Sequence, residues 1–311
     1  MPEEVAILAA ALAFDLVLGE YPSRLHPVVW MGWVADRLLR FAPQQGALGQ
    51  CAFGVLVLVA VTIPFAVPTW LLLDTLQWTG GAVYVLAGAL VLKPSFALRA
   101  LWTEVEGVRA AVDKSDLTDA RLRVGRIVSR DVAILTPGLI ASAAVESAAE
   151  SLTDSFVAPL FYFVLLGPAA ALAYRAVNTL DAMIGYHGTY EYLGKAAALV
   201  DDALNLVPAR IASLLLAVSS GPAGGSVAGA LRGIWRDRAR TESPNAGWTM
   251  SAMGGALGVR LEKPGSYVLG SESTEPLPSH IKQALIIVAG AAVLCTVIAV
   301  VVLVWRYGGL T

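Results

Sequence analysis

The segment ALIIVAGAAVLCTVIAVVVLVW, residues 284–305, decides the fold class, because it is apolar along its whole length and carries no charge. A transmembrane helix needs roughly 20 such residues. Residues 51–73 are also long enough, although Pro64 and Pro68 are expected to kink that helix. Shorter or interrupted apolar segments lie at residues 80–92, 156–173, 5–18 and 206–218. We therefore expect three or four clear spans and two or three shorter, polar or re-entrant ones.

Composition leads to the same class of protein. The chain is 57% hydrophobic and 15% charged, whereas soluble domains are about 45–50% apolar and about 25% charged. Its net charge of −2 argues against nucleic acid as a partner, since nucleic-acid binders usually present a basic face. The two cysteines form no CxxC and the three histidines form no HExxH, which indicates neither a disulfide framework nor a metal site of those types.

These features predict an all-α, polytopic integral membrane helical protein with polar or re-entrant segments and cytoplasmic loops. Strand signals are weak. We expect a single membrane-embedded domain over residues 1–311, with functional loops at about residues 93–155, 175–205 and 221–281. The first loop begins with a region, residues 93–133, that is rich in Lys and Arg and is therefore expected in the cytoplasm. The last contains the basic run RGIWRDRAR, residues 232–240, and is too long for a simple turn.

Three acids share a helical spacing in the first loop. Glu146, Glu150 and Asp154 follow an i, i+4, i+8 pattern, which places them on one helix face. Like charges at that spacing repel, so a metal ion, basic partners or water must compensate. Carboxylate oxygens suit Mg²⁺, which favours a metal-binding or general-base face. A solvated amphipathic helix explains the spacing equally well.

Two further clusters combine acids with amides. The first contains Arg175, Asn178 and Asp181, and the second contains Asp201, Asp202 and Asn205, followed by Arg210. Such sets suit chemistry in which carboxylates hold Mg²⁺ and basic residues neutralise phosphate oxygens. The alternatives are that Asp181 or Asp202 caps a helix and that Arg210 reaches from the membrane to its surface. The segment GTYEYLGK, residues 188–195, is not a P-loop, because its glycines are spaced wrongly and Ala196 replaces Ser or Thr.

Several longer motifs together resemble one family. They are FDLVLGEYPSRLHPVVWMG (14–32), RVGRIVSRD (123–131), VESAAESLTDSFVAPLFY (145–162), YRAVNTLDAMIGY (174–186), DDALNLVPAR (201–210) and the SPNAG loop (243–247). The combination covers nearly the whole chain and is similar to the cobinamide-phosphate synthases of cobalamin biosynthesis, the CobD/CbiB family. The resemblance implies ATP-dependent amide ligation of adenosylcobyric acid with aminopropanol, probably as its O-phosphate, to give adenosylcobinamide phosphate. It also implies ATP and Mg²⁺ as cofactors.

The resemblance also suggests roles by residue type. Catalytic candidates are Glu146, Glu150, Asp154, Asp181, Asp202 and His26. Candidates for substrate and phosphate contacts are Arg130, Arg175, Asn178, Lys195, Asn205, Arg210, Asn245 and Lys263. Candidate Mg²⁺ ligands are Asp181, Asp201, Asp202 and Glu150. The peptide N–H groups of the SPNAG loop are expected to approach a phosphate.

The implied setting is the cell membrane, with a multi-pass chain, the lipid bilayer and the corrinoid and amine substrates as partners, and an active site on the cytoplasmic side. A homo-oligomer or a complex with other membrane enzymes of the pathway is compatible with this. Simple alternation of spans would put the second and third motif loops on opposite sides, unless residues 136–152 and 156–173 form a hairpin or one of them is re-entrant. A transporter or binding protein for a corrinoid or anionic solute is the alternative function, since broken helices also suit transport.

Overall fold

The computed structural model describes residues 3–78, 80–186, 188, 190–270 and 274–308. His187, Thr189 and residues 271–273, which fall in the predicted functional loops, lie outside this range. The described chain is almost entirely helical and contains five helical segments long and apolar enough to cross a membrane, which confirms the predicted fold class. These segments are Ala47–Leu76, Gly81–Asp113, Pro137–Leu166, Lys195–Ser220 and Pro278–Tyr307.

The helices follow one another with short connections. They are α1 (Glu3–Leu18), α2 (Pro27–Leu39), α3 (Ala47–Leu76), α4 (Gly81–Leu92), α5 (Leu98–Asp113), α6 (Leu117–Val124), α7 (Pro137–Leu152), α8 (Ala158–Leu166), α9 (Pro168–Ile184), α10 (Lys195–Ser220), α11 (Val227–Asp237), α12 (Ala246–Leu257) and α13 (Pro278–Gly308). Pro64 and Pro68 both lie inside α3, whose helical assignment runs past them without a break. The stretches predicted as functional loops are therefore largely helical.

The chain forms two compact units, and the first contains residues 1–97, 158–204 and 298–311. Here α9 is central, with α2, α3, α4 and α8 packed against it. Its apolar residues meet Met31 of α2 and Val57 and Val61 of α3 in a buried core. Gly54 allows α3 to approach the chain closely, because a Cβ there would lie 2.1 Å from the carbonyl oxygen of Leu193.

A sharp reversal separates α8 from α9 in this unit. Gly167 has a φ of +88°, which only glycine adopts readily, and Pro168 starts α9. The two helices pack together, and the rings of Tyr162 and Tyr174 stack with centroids 5.4 Å apart. Residues 137–166 instead form one continuous helical segment with a π-helical turn at Thr153–Val157. The expected hairpin between residues 136–152 and 156–173 is therefore wrong, since the reversal falls within the second segment.

The second unit contains residues 98–157 and 205–297. Within it, α7 packs against α5, α6 and α12, and α11 packs against α12 through Gly229 and Gly255, which approach each other's backbones. An antiparallel hairpin of β1 (Leu261–Lys263) and β2 (Tyr267–Leu269) lies against α7 and α12. The sequence did not predict this hairpin. The single-domain organisation stays a prediction.

Candidate functional site

A buried lysine organises the opening motif in the first unit. The Lys93 side chain is fully buried, and its Nζ lies 2.8 Å from Glu20 Oε2 and 3.3 Å from Asp15 Oδ1. Asp15, near the end of α1, is 1% exposed. The ammonium also lies 5.4 Å from the centre of the Tyr21 ring. A buried cation between two carboxylates satisfies the rule that buried charges are paired.

His26 extends this network and begins α2. Its Nδ1 accepts a hydrogen bond from the Val28 N–H at 3.2 Å, so the ring caps the helix. Its Nε2 therefore carries the proton and donates to Glu20 Oε2 at 2.9 Å. Burial of Glu20 opposes ionisation, but the hydrogen bonds from His26 and Lys93 outweigh burial and lower the pKa of Glu20. His26 is extended, as the following proline predicted.

The two acid–amide motifs meet in the same unit. Asn178 of α9 donates from Nδ2 to Asp201 Oδ1 of α10 at 3.2 Å, and both residues are buried. Arg175 Nη1 donates to Asn178 Oδ1 at 3.2 Å. The buried Arg175 Nε has no hydrogen-bond partner within the described chain. The structure thus brings together an arginine, an amide and a carboxylate that the sequence proposed for phosphate and Mg²⁺ contacts.

The neighbouring candidates lie on the same two helices. Asp181 is in the last turn of α9, where its carbonyl oxygen accepts a hydrogen bond from the Gly185 N–H at 2.7 Å. Asp202 is half-buried within α10, so it does not cap that helix, and Lys195 is exposed at the first turn of α10. Asn205, also on α10, is 2% exposed.

In the second unit, Glu146 of α7 is surrounded by hydrogen-bond donors. Arg130 Nη2 donates to Glu146 Oε2 at 2.5 Å and the Tyr267 hydroxyl donates to the same oxygen at 2.7 Å. The Ser142 hydroxyl donates to Oε1 at 2.5 Å and accepts from the Glu262 N–H at 2.7 Å. Glu146 is 1% exposed. The carboxylate therefore joins α7 to both strands of the hairpin.

The charges in this cluster influence one another. Burial opposes the charge of Arg130, but the Glu146 carboxylate outweighs burial and raises the pKa of Arg130. Burial and the same carboxylate both raise the pKa of the Tyr267 phenol, which keeps it a donor. Arg130 Nη1 also donates to the Glu262 carbonyl at 3.2 Å. Arg130, predicted to contact phosphate, is thus committed to the hairpin.

The other two acids of that helix differ from Glu146 in environment. Glu150 is exposed, and Asp154 is half-buried in the π-helical turn that follows α7. That turn changes the helical register after Leu152. The single face predicted from the i, i+4, i+8 spacing is therefore wrong, because it assumed an uninterrupted α-helix. Lys263 lies half-buried on β1.

Arg210 and Asn245 meet in the same unit, as the proposed phosphate role of both residues requires. Arg210 Nη1 donates to Asn245 Oδ1 at 2.7 Å, and the guanidinium lies 4.6 Å from the centre of the Trp248 ring. Asn245 stands at the start of α12. The Ser243 hydroxyl accepts from the Asn245 N–H at 3.2 Å and the Ala246 N–H at 3.5 Å. These two peptide groups, which we expected to approach a phosphate, are already bonded.

A metal would depend on few protein ligands. No three His, Cys, Asp or Glu side chains are grouped closely enough to hold an ion within the residues described. Mg²⁺ usually takes one or two carboxylates and completes its shell with substrate phosphates and water. The predicted ligands Asp181, Asp201, Asp202 and Glu150 stay predictions.

Sequence reasoning missed several residues that build these clusters. Lys93 was counted only among the cytoplasmic positive charges, although a single lysine that ends a 12-residue apolar helix is a signal of burial. Ser142, one turn before Glu146, fits the i, i+4 spacing of a hydrogen-bonded pair. Tyr267 gave no signal, because it lies 121 positions from Glu146.

Known proteins match the chain along most of its length. The profile of the family described as CobD/Cbib protein matches residues 8–288. The cobalamin biosynthesis protein CobD of Dehalococcoides mccartyi is 40% identical over 96% of this chain and 97% of its own length. The probable cobalamin biosynthesis proteins CobD of Methanothermobacter thermautotrophicus and Pyrococcus abyssi are both 41% identical, over 86% and 90% of this chain and 87% and 89% of their own lengths. No solved structure matches.

Proposed function

This chain belongs to the CobD/CbiB family of cobalamin biosynthesis proteins, and from that membership we propose that it is an ATP-dependent ligase. The proposed substrates are adenosylcobyric acid and aminopropanol O-phosphate, and the product is adenosylcobinamide phosphate. The reaction joins a propionate carboxylate of the corrin to the amine. Its balance is carboxylate, amine and ATP in, and amide, ADP and inorganic phosphate out.

The chemistry requires activation of the carboxylate, which is a poor acyl donor. Transfer of the γ-phosphoryl group to a carboxylate oxygen gives an acyl phosphate. The deprotonated amine then attacks the acyl carbon, and phosphate leaves with the electron pair of the C–O bond. The protein contributes mainly by positioning the reactants and neutralising charge.

The observation that supports this proposal most is the contact between Asn178 and Asp201. It joins the NTLD and DDALN segments in one buried place, with the Arg175 guanidinium 3.2 Å from the amide oxygen. An arginine suits phosphate oxygens, because its planar donors match their geometry. A carboxylate held by an amide suits a Mg²⁺ ligand or a group that accepts the ammonium proton.

The donor set is compatible with Mg²⁺, because the available groups are carboxylate and amide oxygens. In this proposal Asp201, with Asp181 or Asp202, holds the ion together with nucleotide phosphates. Bound Mg²⁺ would neutralise the charge on the transferred phosphoryl group. Arg175 orients phosphate oxygens, and Asn178 fixes the direction in which Asp201 presents its oxygens.

The proposed setting places this reaction at the cytoplasmic face, where ATP is supplied. The chain is a multi-pass membrane protein by its five candidate spans, and its family role makes a corrinoid its substrate. The amine substrate, and association with another copy or with other membrane enzymes of the pathway, belong to the proposal.

The direct test uses the purified protein in detergent. It is incubated with adenosylcobyric acid, aminopropanol phosphate, ATP and Mg²⁺, and the product mass and ADP are measured. We expect ADP and the amide in equal amounts, each dependent on both substrates. Corrinoid binding without ATP use would contradict the ligase and favour a transporter.

A matched pair of variants tests the assigned residues. Asp201→Asn should lower the rate by about a hundredfold or more, since positioned proton-transfer groups contribute about 10²–10⁴. The control is Asp74→Asn, because Asp74 is also paired with an amide, that of Gln77 at 2.8 Å, but is exposed. Equal rates for the two variants would show that Asp201 has no part in the reaction.

A further inference from the structure

Two arginines share one indole ring in the second unit. The guanidinium carbon of Arg210, from α10, lies 4.6 Å from the centre of the Trp248 ring, and that of Arg238, which ends α11, lies 5.2 Å from it. Trp248 is in the first turn of α12. All three side chains are half-buried. We call these residues the arginine–tryptophan cluster.

The acid nearest in sequence does not neutralise this cluster. The run of residues 232–240 contains one acid, Asp237, which is 1% exposed. Its carboxylate pairs with Arg236 at 2.8 Å and Arg240 at 3.2 Å, and it accepts the Gly270 N–H at 3.0 Å. Asp237 thus holds the second strand to α11 and uses the arginines on either side of Arg238.

The positive charge of the cluster is uncompensated by the protein. Within the described residues, neither Arg210 nor Arg238 has a carboxylate within ion-pair distance. The two like charges are close enough to act on each other unfavourably. Keeping two adjacent guanidiniums half-buried without an acid is costly, and an anion between them would remove that cost.

Both arginines also retain donors. Arg210 uses Nη1 for the Leu206 carbonyl and the Asn245 side chain, both at 2.7 Å. Arg238 uses Nη1 for the Trp235 carbonyl at 3.0 Å. In the described part of the chain, Nε and Nη2 of each have no acceptor. Stacking on the indole fixes the planar groups in place, which leaves a fork of donors suited to phosphate oxygens.

We propose that the arginine–tryptophan cluster binds the phosphate group of a soluble substrate, and that this substrate is the phosphorylated amino alcohol. This inference rests on the proposed ligase function, because it assigns one of the substrates of that reaction. The cluster accounts for recognition of the phosphate, which takes no part in forming the amide bond. Arg238 and Trp248 were not among the residues predicted from the sequence.

The test compares Arg238→Gln with Arg232→Gln. Arg232 belongs to the same basic run but is exposed and bonds only its own helix, at the Ala228 carbonyl, so the control removes equal charge. KM and kcat are measured for aminopropanol phosphate, for unphosphorylated aminopropanol and for ATP. A sugar-headgroup detergent is used, and the series is repeated with phosphatidylglycerol vesicles, so that lipid phosphate is distinguished from a soluble phosphate.

The proposal expects a selective change in KM. Loss of a charged hydrogen bond costs about 1.5–3 kcal/mol, so Arg238→Gln should raise the KM for aminopropanol phosphate by about 10–100-fold. The KM for aminopropanol, kcat and every parameter of Arg232→Gln should stay unchanged, and Arg238→Lys should recover part of the loss. A change confined to the KM for ATP, or one confined to the vesicle series, would overturn the amine assignment in favour of nucleotide or lipid phosphate.

Binding measured without turnover separates this inference from the proposed function. Calorimetric titration of the wild type with aminopropanol phosphate should show binding that weakens by a similar factor in Arg238→Gln. If the wild type forms no product but this difference is observed, the ligase proposal fails and the phosphate site stands. If product forms and Arg238→Gln matches the wild type in both KM and binding, the site is refuted.

Discussion

The substitution Glu146→Gln tests whether a buried carboxylate holds the β-hairpin to α7. Glu146 is 1% exposed and accepts hydrogen bonds from Arg130, Tyr267 and Ser142. The Tyr267 hydroxyl and the Arg130 contact to the Glu262 carbonyl connect it to both strands. Glutamine keeps the shape but removes the charge that Arg130 faces, and it puts an amide donor among donors.

The expected loss is large for a membrane-protein domain. Breaking a buried ion pair by removing one partner costs about 3–5 kcal/mol, because the other charge stays buried. The remaining amide oxygen still accepts one hydrogen bond, so we expect the lower end, about 3 kcal/mol. Folded domains are stable by only about 5–15 kcal/mol, so the unfolding transition of the variant should shift clearly.

The assay is equilibrium unfolding in detergent micelles, followed by circular dichroism. A double-mutant cycle with Arg130→Gln should give a coupling energy of about 1–3 kcal/mol, since the two side chains are in direct contact. The control is Glu150→Gln, one turn later on the exposed side of α7, expected within about 0.5 kcal/mol of the wild type. A coupling energy below about 0.5 kcal/mol would refute the role of the pair.

Four other outcomes follow from the structure. The folded-state pKa of Glu20 lies below its ordinary value of 4.5, so its ionised form stabilises the fold above that pH; thermal stability should fall as the pH drops through the lowered pKa, and less so in Glu20→Gln. Gly54→Ala should destabilise the protein by about 1–3 kcal/mol, because its Cβ would meet the Leu193 carbonyl, whereas Gly49→Ala in the same helix has only an ordinary contact at 3.9 Å and should be neutral or stabilising in the same unfolding assay. His26→Asn, which can still cap α2, should give more folded protein on size-exclusion chromatography than His26→Ala, which loses about 1 kcal/mol of capping. Excess EDTA should abolish ligase turnover, and full activity in its presence would contradict the Mg²⁺ requirement.

The sequence predicted the features that depend on local composition. Long uncharged stretches such as residues 284–305 predicted spans, because the bilayer thickness sets a minimum apolar length. The pairing of Asn178 with Asp201 was also anticipated, since both motifs combine acids with amides beside apolar helices. Their exact hydrogen bond was not predictable, because it depends on how α9 and α10 are rotated about their axes.

Features that depend on distant partners were not predictable. The strands Leu261–Lys263 and Tyr267–Leu269 are three residues each, too short for an alternating pattern to stand out. Their position is fixed by contacts with Glu146 and Asp237, far away in sequence. Lys93 looked like a solvated cytoplasmic charge, and only the fold shows it buried against Asp15 and Glu20.

The geometry of His26 bears on how the opening motif acts. Both ring nitrogens are used, one by the Val28 N–H and the other by the Glu20 carboxylate. A general base needs a free lone pair within reach of the substrate proton, and here the lone pair of Nδ1 already caps α2. Protonation of Nδ1 would remove that cap and turn the ring into a cation beside Lys93. The arrangement therefore favours a positioning role, in which His26 fixes the loop between α1 and α2 and holds Glu20 against the buried lysine.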